Sequence, residues 1–360
     1  VPPADGPPTD KFRILAVDGG GIRGLISALV LGKLEYRIQE LTNNEGARLS
    51  DYFHLFAGTS TGGLIALSLT APDAGITAED LYLLYTEDGP EIFNRSLARR
   101  LATMDGWRGP KYSPDALRMA IEKRLGNPRL KSALRDLVVT SYDMSGREPY
   151  FFKRWRARES PDRDAPFVDA ALATAAAPTY FPSHAYEGRA LVDGGVFAMN
   201  PVIAGITEAL KRRGDPPANL SSDDLLIVSV GTGTYETGYS QSEAEGWGKL
   251  GWIGADGDDP PLLGAVFGGS AEAADHWAHM LLNYPNGGGL PDPQNVGRGP
   301  LFFRWQATLP SPVAMDDVSD ETLTHVLPAA ANELNVSREA EVDEVAKRVT
   351  AAGPLPADPA

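Results

Sequence analysis

The sequence has no cysteine among its 360 residues, which excludes disulfides, thiolate metal sites and a cysteine nucleophile. Secreted proteins can also lack cysteine, so the compartment stays open. Basic charge is in short supply: 33 Lys and Arg stand against 48 Asp and Glu, a net charge of -15. That balance argues against a nucleic-acid partner, whose phosphates need a basic stripe, and disfavours tight adsorption to anionic lipid. No apolar run is long enough for a transmembrane helix. The chain opens Val-Pro-Pro, without a basic segment followed by an apolar one, so it reads as soluble and cytoplasmic with secretion as the alternative. Any leader has been removed or was never there. Histidine is scarce, with five in all.

What is present is a globular composition, 42% hydrophobic, enough to bury a large core. Residues 1–10 and 354–360 are rich in proline, alanine and aspartate without apolar periodicity and read as tails, leaving one domain over 11–350. Within it, strand-like apolar runs at Phe12–Val17, 52–57, 136–140 and Leu225–Val230 alternate with helical patterns, and 190–192 is a further short strand. Such alternation predicts an α/β layered domain with a mainly parallel central sheet. The segment 78–125 reads as helical, with Leu81, Leu84 and Tyr85 and then Leu117, Ile121 and Leu125 at helical spacing, placed to cover the sheet or cap a site. Residues 236–299 differ, being rich in glycine and carrying Trp247, Trp252 and Trp277. They predict a loop-rich insert around one helix near 270–283, with a mobile lid at the site entrance. The acidic run 256–259 lacks calcium-loop spacing and reads as a solvated turn. Val342, Val345, Ala346 and Val349 share one face of a closing helix expected on the sheet.

Two glycine-bracketed turns carry the chemistry. Gly58-Thr59-Ser60-Thr61-Gly62 follows a strand and leads into a helix. In a Gly-x-Ser-x-Gly turn, the glycines let the chain reverse sharply and hold the serine hydroxyl clear at a helix start. Ser60 is therefore the candidate nucleophile, although such a pentapeptide is also found as a simple flexible turn. The earlier turn, Asp18-Gly19-Gly20-Gly21-Ile22-Arg23-Gly24, fits a dinucleotide-binding loop or, alternatively, a set of amides facing an oxyanion. The second fits better, because Glu40 and Glu45, near the spacing a ribose-binding acid needs, fall at a helix end rather than after a strand. Asp193 closes the run 190–192 just before Gly194 and Gly195. Taken alone it shapes a turn. No histidine has a catalytic context: His54 falls in a strand, His184 follows a Phe-Pro turn, and His276, His279 and His325 lie on helices. A carboxylate is the remaining base, and Asp193 is the best placed.

Together these residues resemble the patatin-like phospholipase family. The match runs through the Asp18 to Gly24 loop, the Gly58 to Gly62 turn and Asp193-Gly194-Gly195 with Asn200-Pro201. It continues in Tyr142-Asp143, Phe151-Phe152, the Ala173 to Pro182 stretch, Val230-Gly231-Thr232-Gly233 and Met315-Asp316-Asp317. The resemblance implies a three-layer α/β/α fold and lipid acyl hydrolysis by a Ser60–Asp193 dyad through an acyl-enzyme. It further implies oxyanion amides from Gly19, Gly20 and Gly21, and a basic loop residue, Arg23, that orients the loop or meets a lipid phosphate. No metal or organic cofactor enters the scheme. The implied partner is a phospholipid or other acyl lipid, met by peripheral membrane contact, with the oligomeric state left open. A small-ester carboxylesterase and a lipid-binding storage protein with little turnover are the alternatives.

Overall fold

The computed structural model describes residues 11–72, 76–94, 109–211, 219–235, 238–253, 260–283 and 301–357. Among them, eight strands form one sheet: β1 (Phe12–Val17), β2 (Leu55–Thr59), β3 (Asp136–Asp143), β4 (Glu148–Lys153), β5 (His184–Tyr186), β6 (Arg189–Asp193), β7 (Leu225–Val230) and β8 (Phe302–Trp305). The order is β5-β6-β3-β2-β1-β7-β8, with β4 also on β3. The centre is parallel, since β1 pairs in parallel with β2 and β7, β2 with β3, and β7 with β8. Pairings of β3 with β4, β3 with β6 and β5 with β6 are antiparallel.

The central strands are apolar on both faces, as a sheet covered by helices on each side requires. Alternate residues split cleanly between two cores. Leu15, Val17, Phe56, Leu226 and Val228 face one core, and Phe12, Ile14, Leu55, Leu225 and Ile227 face the other. The first is covered by α1 (Gly24–Thr42), α2 (Thr61–Thr70), α3 (Asp115–Leu125), α4 (Phe167–Thr174), α7 (Leu327–Ser337) and α8 (Glu339–Ala351). The second is covered by α5 (Val202–Leu210) and α6 (Pro261–Leu282). The result is the three-layer α/β/α arrangement with a mainly parallel sheet.

Several boundaries differ from the sequence reading. The strand expected at 52–57 starts only at Leu55, because Leu49–Tyr52 is one helical turn whose entry amide, Arg48 N–H, donates to Asp51 Oδ2 at 2.8 Å. The helix expected near 270–283 begins nine residues earlier, at Pro261, where proline suits a first helical turn. On α8, Val342, Val345, Ala346 and Val349 are all buried. That helix packs chiefly on α1 and meets the sheet through Glu341, which accepts from Trp305 Nε1 at 3.1 Å. The closing segment is tied down as far as Pro356: Leu355 N–H donates to the Asp51 carbonyl at 2.7 Å and Arg135 donates to the Pro356 carbonyl at 2.7 Å. The tail over 1–10, the acidic turn 256–259, and the parts of the insert at 236–237 and 284–299 lie outside the described residues.

Candidate active site

Three strand ends meet at one point because of how β3 is shared. Residues 138–143 of β3 pair with β4, so β2 and β6, which pair with 136–140 and 141–143, must both lie on the opposite edge. β2 ends at Thr59 opposite Thr140, and β6, running the other way, ends at Asp193 opposite the next residue, Ser141. The two strands therefore end head to head. The residue after β2 is Ser60, so the register itself brings Ser60 and Asp193 together.

Ser60 turns the chain from β2 into α2 with φ 54° and ψ -125°, a positive φ that L side chains rarely adopt. Its neighbours fix that strained turn. Ser60 N–H donates to Thr174 Oγ1 at 2.8 Å, and Thr59 Oγ1 donates to the Ala198 carbonyl at 2.6 Å. A Cβ on Gly62 would lie 2.0 Å from the Val17 carbonyl oxygen, so β1 and α2 can approach only at glycine.

Asp193 is 2% exposed. Burial pushes its carboxyl up to about 7, against the opposing pull of the neighbouring Ser60 hydroxyl and of the Gly195 amide, which donates to Oδ1 at 2.7 Å. That is well above an exposed aspartate, whose pKa lies near 3.9, and a carboxylate raised in this way is a stronger base. Gly194 passes close against Thr140, with an added Cβ meeting Thr140 Oγ1 at 2.1 Å.

The glycine loop leaves β1 beside this pair. An added Cβ on Gly19 would stand 3.0 Å from Ser60 Cβ. One expectation is corrected here: the Gly19 amide donates to the Met199 carbonyl at 3.0 Å and is not available to an oxyanion. The amides of Gly20 and Gly21 have no protein acceptor among the described residues, whereas that of Ile22 donates to Met315 at 2.9 Å. The Thr61 amide, at the start of α2, has no acceptor within its own helix either. Arg23 turns back on its own loop, Nε donating to the Gly20 carbonyl at 3.4 Å. Gly24 sits against Tyr85, whose hydroxyl is 2.6 Å from Thr61 Oγ1.

Sequence reading missed Arg304. It lies on β8 and grips Asp18 with two hydrogen bonds, Nη1 to Oδ1 at 3.0 Å and Nη2 to Oδ2 at 2.5 Å, while Nη1 also reaches Ser229 Oγ. Burial raises the Asp18 carboxyl to about 6 against the pull of that guanidinium. Asp18 also donates its amide to Val230, so the first residue of the loop is held at both backbone and side chain.

A pocket partly open to solvent is lined by Ser60 and Asp193. Its lining is mostly apolar. The segment 78–125 supplies Leu84, Tyr85, Ile92 and Leu117, and α6 supplies Phe267, so both regions suspected from sequence reach the site. No described lining residue is a histidine. His54 Nδ1 accepts from the Arg13 amide, and His184 Nε2 is 2.9 Å from Asp169 Oδ1. His279 packs against Phe302.

Comparison with known proteins identifies the family. The pattern of the family described as patatin-like phospholipase matches residues 15–206. Patatin-like protein 2 of Arabidopsis thaliana is 36% identical over 297 residues, which is 75% of this chain and 72% of its own. Patatin-07 and Patatin of Solanum tuberosum are 35% and 36% identical over 266 and 267 residues, each covering 68% of this chain and 67% of its own. VipD from Legionella pneumophila aligns with 93% of this chain and 67% of its own, at 12% identity and a TM-score of 0.42, too loose a likeness to bear on function.

Proposed function

Since the chain belongs to the patatin-like phospholipase family, we propose that it is a lipid acyl hydrolase in which Ser60 is the nucleophile and Asp193 its base. The observation that carries this reading is the head-to-head ending of β2 and β6, which sets the Ser60 hydroxyl beside the buried Asp193 carboxyl in the wall of a mostly apolar pocket with no histidine in its described lining. Ser60 Oγ attacks the ester carbonyl while Asp193 takes its proton. The tetrahedral oxyanion is met by the amides of Gly20 and Gly21, supplemented by that of Thr61. One such donor is worth on the order of 3 kcal/mol in other serine hydrolases. Collapse expels the alcohol, which receives the proton from Asp193 and leaves an acyl-Ser60 ester. Asp193 then takes a proton from water as it attacks, and the same oxyanion amides serve again until the fatty acid leaves and Ser60 is reprotonated. No step calls for a metal or organic cofactor.

The lipid reading over small esters rests on the surface beside the pocket. Tyr239, Leu250, Trp252, Ile253 and Leu262 are exposed within one short stretch, Leu250 at 60% and Trp252 at 40%. The Trp247 ring stands between Tyr239 and Trp252, with centroids 4.5 and 5.3 Å away. Tryptophan and tyrosine favour the zone where water meets lipid. The helix that follows carries Phe267 into the pocket wall, so a bilayer touching these rings lies next to the site entrance. The net charge of -15 directs this contact to neutral or zwitterionic lipid. We place the insert within the single domain as its lipid-facing lid.

Fatty acid release from phosphatidylcholine vesicles, set beside a chain-length series of aryl esters, tests the reading. A lipid acyl hydrolase cleaves vesicle lipid and prefers long acyl esters, and both activities vanish in Ser60→Ala. Turnover of short esters alone would identify a carboxylesterase, and none at all a binding protein.

A further inference from the structure

Beside the pocket over Ser60 lies a second, smaller hollow partly open to solvent, and the two share three wall residues, Leu117, Ala175 and Phe181. Its remaining lining comes from Pro114, Leu172 and the turn Pro182, Ser183 and His184. Leu117, Leu172 and Phe181 make its inner end apolar. Its rim is polar, with Ser183 exposed and His184 held by Asp169.

Of the three shared residues, Phe181 is by far the largest. Its ring packs against Phe93 and Tyr112, with centroids 6.1 and 5.6 Å away, and its amide donates to the Ala177 carbonyl at 3.0 Å. Ala175 presents a single methyl to the shared wall, and Leu117 reaches it from α3. We propose that Phe181 is the partition that ends the acyl pocket, and that the second cavity is the subsite for the far end of a long saturated acyl chain. A chain that passes Phe181 trades water for apolar wall, and each methylene buried is worth about 0.8 kcal/mol, or about fourfold in kcat/KM. A chain that stops before it gains nothing. The partition thereby sets the acyl length that the enzyme prefers.

This inference rests on the acyl-hydrolase reading, and the experiment keeps the two apart. The quantity read is the ratio of kcat/KM for hexadecanoyl to that for octanoyl aryl esters. Phe181→Ala joins the cavities and should raise that ratio at least about tenfold, the gain of two or more added methylenes. Leu117→Ala opens the same wall and should raise it in the same direction. Ser183→Trp, made at an exposed rim position in the Phe181→Ala background, fills the second cavity and should bring the ratio back down. In Ser60→Ala protein, which cannot turn over, Phe181→Ala should likewise tighten hexadecanoic acid relative to octanoic acid by calorimetry. An unmoved ratio in both wall variants, with octanoyl turnover still present, would overturn the subsite; so would a raised ratio that Ser183→Trp leaves untouched. Loss of all ester turnover in the unmodified protein would instead overturn the acyl-hydrolase reading, with the calorimetric comparison still deciding the subsite.

Discussion

The junction of β1, β2 and β6 and the insert from Tyr239 to Leu262 are opposites in construction. At the junction, Asp18, Ser60, Thr59 and Asp193 are buried; the first three are held by partners from distant parts of the chain, and the Asp193 carboxylate accepts from the Gly195 amide of its own turn. In the insert, large apolar side chains face solvent and the short helices Gln241–Glu245 and Lys249–Ile253 bury none of their residues. The difference separates two tasks. Chemistry needs atoms held within fractions of an ångström, which a packed sheet supplies, and reaching a lipid surface needs apolar area left uncovered. The sheet ends also accept a cost for this: a strained Ser60 and a carboxylate kept out of water.

The largest effects should come from the rigid side. Ser60→Ala and Asp193→Asn should each lower kcat by about 10⁴-fold or more, and the double variant should be little slower than either, because members of one unit do not add. Steady-state kinetics on a soluble ester reads this, and a multiplicative loss in the double variant would separate the two residues. Next comes Arg304→Gln. It strands a buried Asp18 carboxylate and should cost on the order of 3 kcal/mol of stability, with kcat down about a hundredfold as the glycine loop loosens. Adding Asp18→Asn should recover much of the stability, and a chemical denaturation cycle showing no coupling between the two would remove Arg304 from its place.

Asp193 should also show its burial in stability. Its folded-state pKa of about 7 lies above the unfolded value near 3.8, so the folded state binds the proton more tightly and loses stability as pH rises between the two. Asp193→Asn should therefore melt a few degrees above the unmodified protein at pH 8, with the gap closing below pH 4. Equal melting temperatures at pH 8 would show that the carboxylate costs the fold nothing. The smallest effect belongs to the insert. Trp252→Ser with Leu250→Ser should weaken zwitterionic vesicle binding several-fold while leaving soluble short-ester kinetics within about twofold. Unchanged vesicle sedimentation would move the lipid contact elsewhere.

How much of this was legible in the sequence divides along the same line. β1 and β7 are continuous apolar runs and were read to the residue, because a strand buried on both faces announces itself. The Ser60 and Asp193 turns were legible because glycine marks where backbones must touch. β8 was missed: four residues with an arginine in them carry no local signal, and Arg304 finds its partner 286 positions away. The use of the Gly19 amide by Met199 was hidden for the same reason. A loop's composition shows which amides exist, and only tertiary contact shows which are already taken. Helix α6 was read short because its first half is rich in glycine and small residues, and its packing through Phe267 overrides that weak propensity.

The central claim is that Asp193 activates Ser60, and the rate of fluorophosphonate labelling against pH tests it most directly. In the unmodified protein, the reagent should modify Ser60, with a rate that rises through a midpoint near pH 7 as Asp193 loses its proton. In Asp193→Asn, labelling of Ser60 should be slower by orders of magnitude and should lack that limb. Modification of a different residue, or a full-speed limb near pH 7 that survives in Asp193→Asn, would contradict the account.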